Sequence, residues 1–280
     1  MVTLALARQP GAMSPKHILP ITRQRHGFMP SRRRHPLTVI PLLAVFTLLA
    51  PPSRADVSVD VLYDVRHTTD PQDNANNFPV VELKLFLPNT LGSFFMKEEI
   101  DLDGGNHNVS QSYTELSQSI KLGDVALAGQ PLYIHLGYSG GLGLFGNASG
   151  GFYVQNAYQL GLEAPFQVRG AFCNAYLALR YTSFEKPSYD PMLSLYAGRY
   201  FFNYKILLAN SLEAWTTSTD QGGVSTQHDG KYASWELESE AWYKVEKNFS
   251  VGTYVRTTRN VYALSNRWVV YPSVGLRYSF

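Results

Sequence analysis

Residues Trp235-Glu236-Leu237-Glu238-Ser239-Glu240-Ala241-Trp242-Tyr243 decide the fold. Glutamate stands at every second position, while Trp235, Leu237, Ala241 and Tyr243 fall on the alternate positions. At 3.6 residues per turn a helix would scatter the three carboxylates over different faces; a strand lines them along one. This segment therefore reads as a strand with a charged face and an apolar face.

The same period runs outward in both directions. Val57, Val59, Val61 and Tyr63 alternate with Ser58, Asp60, Leu62 and Asp64, and Val81, Leu83, Leu85 and Leu87 with Glu82, Lys84 and Phe86. Continued along the chain, the alternation predicts about twelve strands near 57–65, 79–87, 93–103, 111–122, 131–141, 151–164, 171–182, 191–200, 204–217, 231–244, 248–259 and 267–280. Most run nine to fourteen residues, enough to cross a bilayer when tilted. Aromatics gather at strand ends, as in Tyr200-Phe201-Phe202 and Trp268 with Tyr271, which suits interfacial girdles.

The first 55 residues follow another logic. Met1 to Ala55 holds eight of the 24 Lys and Arg and no Asp or Glu. Arg32-Arg33-Arg34 precede an apolar run, Leu37 to Ala50, that ends at Pro51-Pro52-Ser53-Arg54-Ala55. A basic region, a short apolar core and a small-residue exit describe an export signal, here with cleavage after Ala55. The run is shorter than the roughly 18 residues of a spanning helix. Met1, Met13 and Met29 are alternative starts, and Met29 begins a leader of ordinary length. A disordered basic tail would leave the apolar run unexplained. The division expected is thus 1–55, extension and signal, and 56–280, the barrel.

Without the leader the charge changes sign. The remaining 24 − 8 = 16 basic residues face 22 acidic ones, about −6 against +2 for the whole chain. No later Lys/Arg cluster could follow a phosphate backbone, so nucleic acid is not an expected partner. Cys173 is the single cysteine, which excludes an internal disulfide, a Cys-based zinc site and a lipid anchor at the new N-terminus. No apolar run after Ala55 is long enough for a membrane helix, so membrane residence requires a closed barrel that pairs its own backbone.

Connections and terminus agree with that. With the N-terminus inside, long connections (His67–Phe78, Leu142–Gly150, Ser183–Asp190, Ser218–Gly230) fall on one side and short ones (Pro88–Gly92, Phe201–Asn203, Val245–Lys247) on the other. The connection Gly123–Gln130 is longer than this rule prefers. In the last strand Val274, Leu276, Tyr278 and Phe280 alternate with Ser273, Gly275, Arg277 and Ser279, and an even strand count returns it beside the first. The expected fold is a single all-β, antiparallel, up-and-down transmembrane barrel of about twelve strands.

Parity then assigns an interior. Inward ionisable residues are Asp60, Asp64, Glu82, Lys84, Lys97, Glu99, Asp101, Asp103, Glu115, His135, Glu163, Arg180, Lys205, Glu213, Glu236, Glu238, Glu240, Lys244, Arg256 and Arg277. A basic group facing lipid at mid-depth would cost about 2–4 kcal/mol, an acidic one less. Glu98 and Arg199 break the rule, and strand ends or bulges are the expected reason. The inward aromatics are Phe86, Phe95, Tyr133, Tyr153, Tyr176, Tyr196, Trp242 and Tyr254. Twelve strands are too many to fill with small side chains and too few for a porin-sized pore, so the interior is either a plugged ionic network or a narrow channel. In the first case the charges neutralise one another and stiffen the wall. In the second, the acidic excess and the aromatics select planar, uncharged solutes by stacking.

Four stretches carry a resemblance: Gly92-Ser93-Phe94-Phe95 leading to Asp101-Leu102-Asp103; Tyr113-Thr114-Glu115-Leu116-Ser117; Leu132 to Gly141; and Tyr278-Ser279-Phe280. Over about Asp56 to Phe280 the chain resembles the nucleoside-specific channel-forming (Tsx-like) outer-membrane family and its outer envelope protein relatives. The terminal Gly-x-x-aromatic-x-Phe pattern is similar to the C-terminal strands by which outer-membrane proteins reach their assembly machinery. The resemblance implies a twelve-stranded barrel of the bacterial outer membrane and nucleoside passage. No individual binding residue carries over.

Other classes fit less well. Barrel lipid hydrolases place a His-x-Ser pair on the lipid face; here His67, His107, His135 and His228 are followed two positions on by Thr69, Val109, Gly137 and Gly230. His135 and Ser139 share a face, but it is the lumen. A closed structural or adhesive barrel would want longer, more aromatic outer loops. Asp101, Asp103 and Asn106 before Gly104-Gly105 lack the spacing of a calcium loop, and Asn147-Ala148-Ser149 has no weight as a sequon in a bacterial setting. The expectation is passive passage of small polar solutes, nucleosides among them, with no catalytic residue, metal or cofactor. Glu99, Asp101, Glu115, Arg180, Glu236, Glu238, Glu240, Arg256 and Arg277 join the eight aromatics as candidate pore-lining residues, and outer-membrane lipid is the expected surroundings.

Overall fold

The computed structural model describes residues 55–280 except 73, 75, 104–108, 145–150, 184–188, 219–230 and 262–266, and the side chains of 151–153, 155, 217 and 218 also lie outside the description. The strands are β1 (Asp56–Asp64), β2 (Phe78–Pro88), β3 (Gly92–Asp101), β4 (Gln111–Leu127), β5 (Gln130–Leu144) and β6 (Gly151–Val168), followed by β7 (Ala171–Thr182), β8 (Tyr189–Phe201), β9 (Ile206–Ser218), β10 (Lys231–Lys244), β11 (Phe249–Arg259) and β12 (Trp268–Ser279). One helical turn, α1 (Arg66–Thr69), follows β1. Every strand pairs antiparallel with its neighbours in sequence, and β12 closes on β1 from Ser58↔Ser279 to Asp64↔Ser273. No edge is left unpaired.

The sides of the wall are inverted relative to a water-soluble protein. Leu177, Leu160 and Val274 point outward and are 66%, 57% and 51% exposed, whereas Asp60, Glu82 and Arg180 point inward and are 0%, 1% and 4% exposed. Only an apolar solvent outside makes that partition favourable, so hydrocarbon surrounds the barrel. Among the described residues no helix is long and apolar enough to cross a membrane; the strands do so.

Several expectations need correction. The connection Gly123–Gln130 is not a long turn. β4 and β5 continue through it, across a register shift between Lys121 and Ala126, to a two-residue turn at Ala128-Gly129, both with positive φ (50° and 79°). Arg169-Gly170 makes the same turn between β6 and β7, with φ of 48° and 78°. Backbone twist favours such turns in hairpins. All short connections fall at one end of the barrel, hereafter the short-turn end, and the long ones at the other, the long-loop end.

Glu98 and Arg199 do face outward; Arg199 stands near the end of β8, as expected, but no bulge explains Glu98. Glu98 pairs with Leu83 and Thr114 in unbroken register, and Arg199 with Leu208. Hydroxyls on β4 meet the Glu98 carboxylate instead: Ser112 Oγ donates to it at 2.6 Å and Thr114 Oγ1 donates as well. Arg199 lies over the Phe201 ring, 4.9 Å from its centre, near the short-turn end. Tyr271, read as a girdle residue, faces inward as the register partner of Arg256; Trp268, beside it in the same reading, is outward and 54% exposed. Asp103 and Lys205 lie outside the strands, exposed, and Lys244 is the exposed last residue of β10. Asn106, His107, Asn147 to Ser149 and His228 lie outside the described residues, as do parts of all six long connections.

Candidate functional site

The register brings the alternating faces of all twelve strands into one interior. Twelve carboxylates point inward in the body of the barrel: Asp60, Asp64, Glu82, Glu99, Asp101, Glu115, Glu163, Asp190, Glu213, Glu236, Glu238 and Glu240. Five permanent cations join them: Lys84, Lys97, Arg180, Arg256 and Arg277. The cations are not spread evenly, and the interior divides into two halves.

The first half is formed by β10, β11, β12, β1, β2 and β3, and its charges are matched. Arg277 donates to Asp60 through Nε at 2.7 Å and Nη2 at 2.6 Å, and Nη2 reaches Glu240 at 2.7 Å. Its guanidinium lies 4.1 Å from the Trp242 ring, and Trp242 Nε1 donates to Glu240 at 2.7 Å. Lys84 Nζ donates to Glu240 at 2.8 Å and sits 3.0 Å from Glu82, which accepts no hydrogen bond among the described residues. Arg256 holds Glu99 bidentately at 3.0 and 2.5 Å and reaches Glu238 at 3.2 Å, while the Tyr254 hydroxyl also donates to Glu238. Glu236 Oε1 lies 3.6 Å from Arg256 Nε. Paired, hydrogen-bonded charges of this kind are the arrangement in which burial of ions is tolerated.

One bond of this network fixes the shape of the lumen. Lys97 Nζ on β3 donates to Glu238 on β10 at 3.0 Å. Those strands are five steps apart in the ring of twelve, nearly opposite. A circular twelve-stranded barrel would be about 24 Å across between backbones, from strand spacing and tilt. An extended lysine and glutamate in contact span only about 14 Å. The section is therefore flattened here, and the ion pair crosses it.

The second half, β4 to β9, is held by neutral donors except at Asp190, which accepts from Lys231 Nζ at 2.5 Å as well as from Thr216 Oγ1 at 2.7 Å. Glu163 accepts from Ser119 Oγ at 2.7 Å and Asn174 Nδ2 at 2.9 Å, with His135 Nδ1 at 2.9 Å. The His135 ring stacks on Tyr176, centroids 4.0 Å apart and planes at 11°. Tyr176 donates to Glu213 at 2.9 Å. Glu115, the register partner of Lys97, has no hydrogen bond or ion pair among the described residues. Arg180 lies over Trp215 at 4.7 Å, toward the long-loop end, opposite Asp190 in register. At mid-height in this half the carboxyl groups of Glu115 and Glu213 thus have no ion-pair partner among the described residues.

The expected aromatic lining is split. Tyr176, Trp242 and Tyr254 are buried and engaged as hydrogen-bond and cation–π partners. Phe86 and Tyr196 stay open near the short-turn end, 44% and 37% exposed, where Phe172 and Tyr200 accompany them. Phe95 and Tyr133 are inward by register and half-buried. Tyr153 stands opposite Leu142, beyond a bulge at Asn156 (φ 87°), and its side chain lies outside the described residues. Among the described residues the aromatics do not converge on one stacking surface.

Arg66, Phe78 and Tyr271 were not expected at the site. Arg66 turns inward from α1, clasping Asp64 through Nε at 2.9 Å and Nη2 at 2.5 Å, and lies 4.7 and 4.3 Å from the centres of the Phe78 and Tyr271 rings. Period two ends with β1, so no strand pattern could have placed Arg66. Below it Asp64, Glu82, Glu99, Asp101, Tyr254, Arg256 and Ser273 line a cavity of about 20 Å³, room for one water. A larger hollow of about 510 Å³ on the β6–β10 wall is lined by no charged side chain, Leu160, Leu177, Leu179 and Leu193 among its walls, and is not the site of polar chemistry.

No family model matches the sequence, and comparison with curated proteins returns no match. Among solved structures the chain is similar to a KdgM porin, at 14% identity over 80% of this chain and 99% of that one, with a TM-score of 0.45. A KdgM porin in complex with disordered oligogalacturonate gives 15%, 80%, 99% and 0.43. A BenF-like porin from Pseudomonas fluorescens Pf-5 gives 11%, 83%, 99% and 0.39.

Proposed function

We propose that the chain is a channel of the bacterial outer membrane for passive movement of small polar solutes. The observation that carries this is the closed wall with hydrocarbon-facing aliphatics outside and ionised, hydrated-type side chains inside. A barrel built only as a membrane anchor could fill its interior with neutral side chains; this one lines it with a carboxylate excess. On this reading the signal ends at Ala55, the short turns face the periplasm, and β12 with Phe280 is the segment that the assembly machinery engages. Passage runs through the acidic half, because the other half is crossed by Lys97–Glu238. Nucleosides are the favoured cargo, being uncharged, planar and small enough for a flattened lumen whose inner mouth offers Phe86 and Tyr196.

The test is reconstitution in planar bilayers. Small conductance steps with cation preference are expected, reduced by added nucleosides and unaffected by sugars of equal size. Equal block by sugars removes the nucleoside assignment. The Lys97–Glu238 crossing favours a second reading, a closed structural barrel, and a silent bilayer with correctly folded protein would establish it.

A further inference from the structure

The first outer connection has few ties to the rest of the barrel. α1 has no buried residue and no side-chain cap, and its described neighbours are joined mainly to one another, as in Thr68 N to Asn77 Oδ1 at 3.1 Å and Asn74 Nδ2 to Asp70 O at 2.9 Å. Among the described residues its links outward are Val65 N to Pro272 O at 2.9 Å, an exposed Asn76 Nδ2 to Asp103 Oδ1 bond at 3.4 Å, an Asp70–Arg267 pair at 3.7 Å with both side chains nearly half exposed, and Arg66. Among the described residues of α1, Arg66 is the one whose side chain contacts luminal groups. Its guanidinium touches β1 through Asp64, β2 through Phe78 and β12 through Tyr271, and its side chain is 24% exposed, so it lies at the boundary between lumen and surroundings. Beneath it is the 20 Å³ cavity, with Ser273 on its wall.

We propose that α1 is a lid on the long-loop end of the lumen and that Arg66 is its latch. The luminal contacts that close it belong to one side chain, and strand pairing reaches Asp64↔Phe78 and Asp64↔Ser273 without help from α1. Withdrawing Arg66 therefore opens the mouth while leaving the barrel intact. A planar guanidinium fits this seat because it bonds one carboxylate in two places while stacking on rings; an ammonium does not. That solutes pass once the lid lifts rests on the channel reading above.

The lid is tested by chemical access, which does not depend on conduction. In a Cys173→Ser background, Ser273→Cys places a thiol at a residue that is 5% exposed beneath the latch. Its reaction with a membrane-impermeant maleimide should be slow in the folded barrel in detergent. Adding Arg66→Ala should raise the rate at least about tenfold, the effect of moving an opening equilibrium by 1.4 kcal/mol. Arg66→Lys should fall between, and Asp64→Asn should also accelerate the reaction. Heat-modifiable electrophoretic mobility reports that each variant is folded. A rate that is already fast with Arg66 present, or unchanged by both Arg66→Ala and Asp64→Asn, overturns the lid. Faster labelling in a barrel that never conducts upholds the lid and removes the channel.

Discussion

At the scale of single residues the lumen depends on which charge meets which. Arg256 is 9% exposed and serves Glu99 and Glu238 together. Removing one partner of a buried pair costs about 3–5 kcal/mol, because the other charge stays behind. Arg256→Met should therefore lower stability by roughly 3 kcal/mol, read as the urea midpoint for loss of the folded electrophoretic form. Adding Glu99→Leu should recover half or more of that loss. A double variant no more stable than the single one would mean that Glu99 was never dependent on Arg256. Parity put all these residues inside, since alternation fixes a face. It could not reveal that Glu238 meets Lys97, 141 positions away, because that contact depends on how the ring is bent. Arg66 was illegible for a simpler reason: it stands after the last residue of β1, where no period applies.

At the scale of elements, strand identity was plain wherever a wet and a greasy face alternate, and turns were legible only where their chemistry is conventional. Gly123-Asp124 has the composition of a turn, yet the chain does not reverse there: it makes a bulge, with Gly123 at φ 55° and a register shift between Lys121 and Ala126, and β4 continues. The actual turn uses Ala128 at φ 50°, a conformation that costs an L-residue with a Cβ about 1–2 kcal/mol. Asparagine tolerates that region and suits the first position of such a turn before glycine. Ala128→Asn should raise the unfolding free energy by about 0.5–1 kcal/mol without changing the fold. A destabilised variant would show that the left-handed geometry at 128 is wrong. Glu98 shows the complementary case, in which a strand breaks its own pattern. Its carboxylate faces hydrocarbon, and Ser112 and Thr114 on β4 face the same way to receive it. Read in one strand this is an anomaly; read across two it is a hydrogen-bonded group.

At the scale of the whole molecule the decisive property is the uneven placement of charge in a flattened section. Twelve inward carboxylates against five cations in the body of the barrel, with Arg66 and Lys231 pairing Asp64 and Asp190 at the long-loop end, leave an acidic lumen, and the four cations of the β10–β3 half are already engaged with Asp60, Glu82, Glu99, Glu238 and Glu240. At mid-height Glu115 on β4 and Glu213 on β9 have no ion-pair partner among the described residues, the Tyr176 hydroxyl donating to Glu213. Mobile cations entering a low-dielectric wall of this sign are concentrated and anions are repelled, an effect that weakens as the screening length falls below about 10 Å at 0.1 M salt. Under a potassium chloride gradient the wild-type reversal potential should have the sign of cation preference. Glu115→Gln combined with Glu213→Gln should move it most of the way to zero while the barrel still folds. Glu246→Gln, in the exposed turn after β10, should leave it where it was. A preference that survives the double substitution would transfer selectivity to the paired half, and a preference equally lost with Glu246→Gln would make it a property of the mouth. In either result the flattened, acidic half would no longer be the path that ions take.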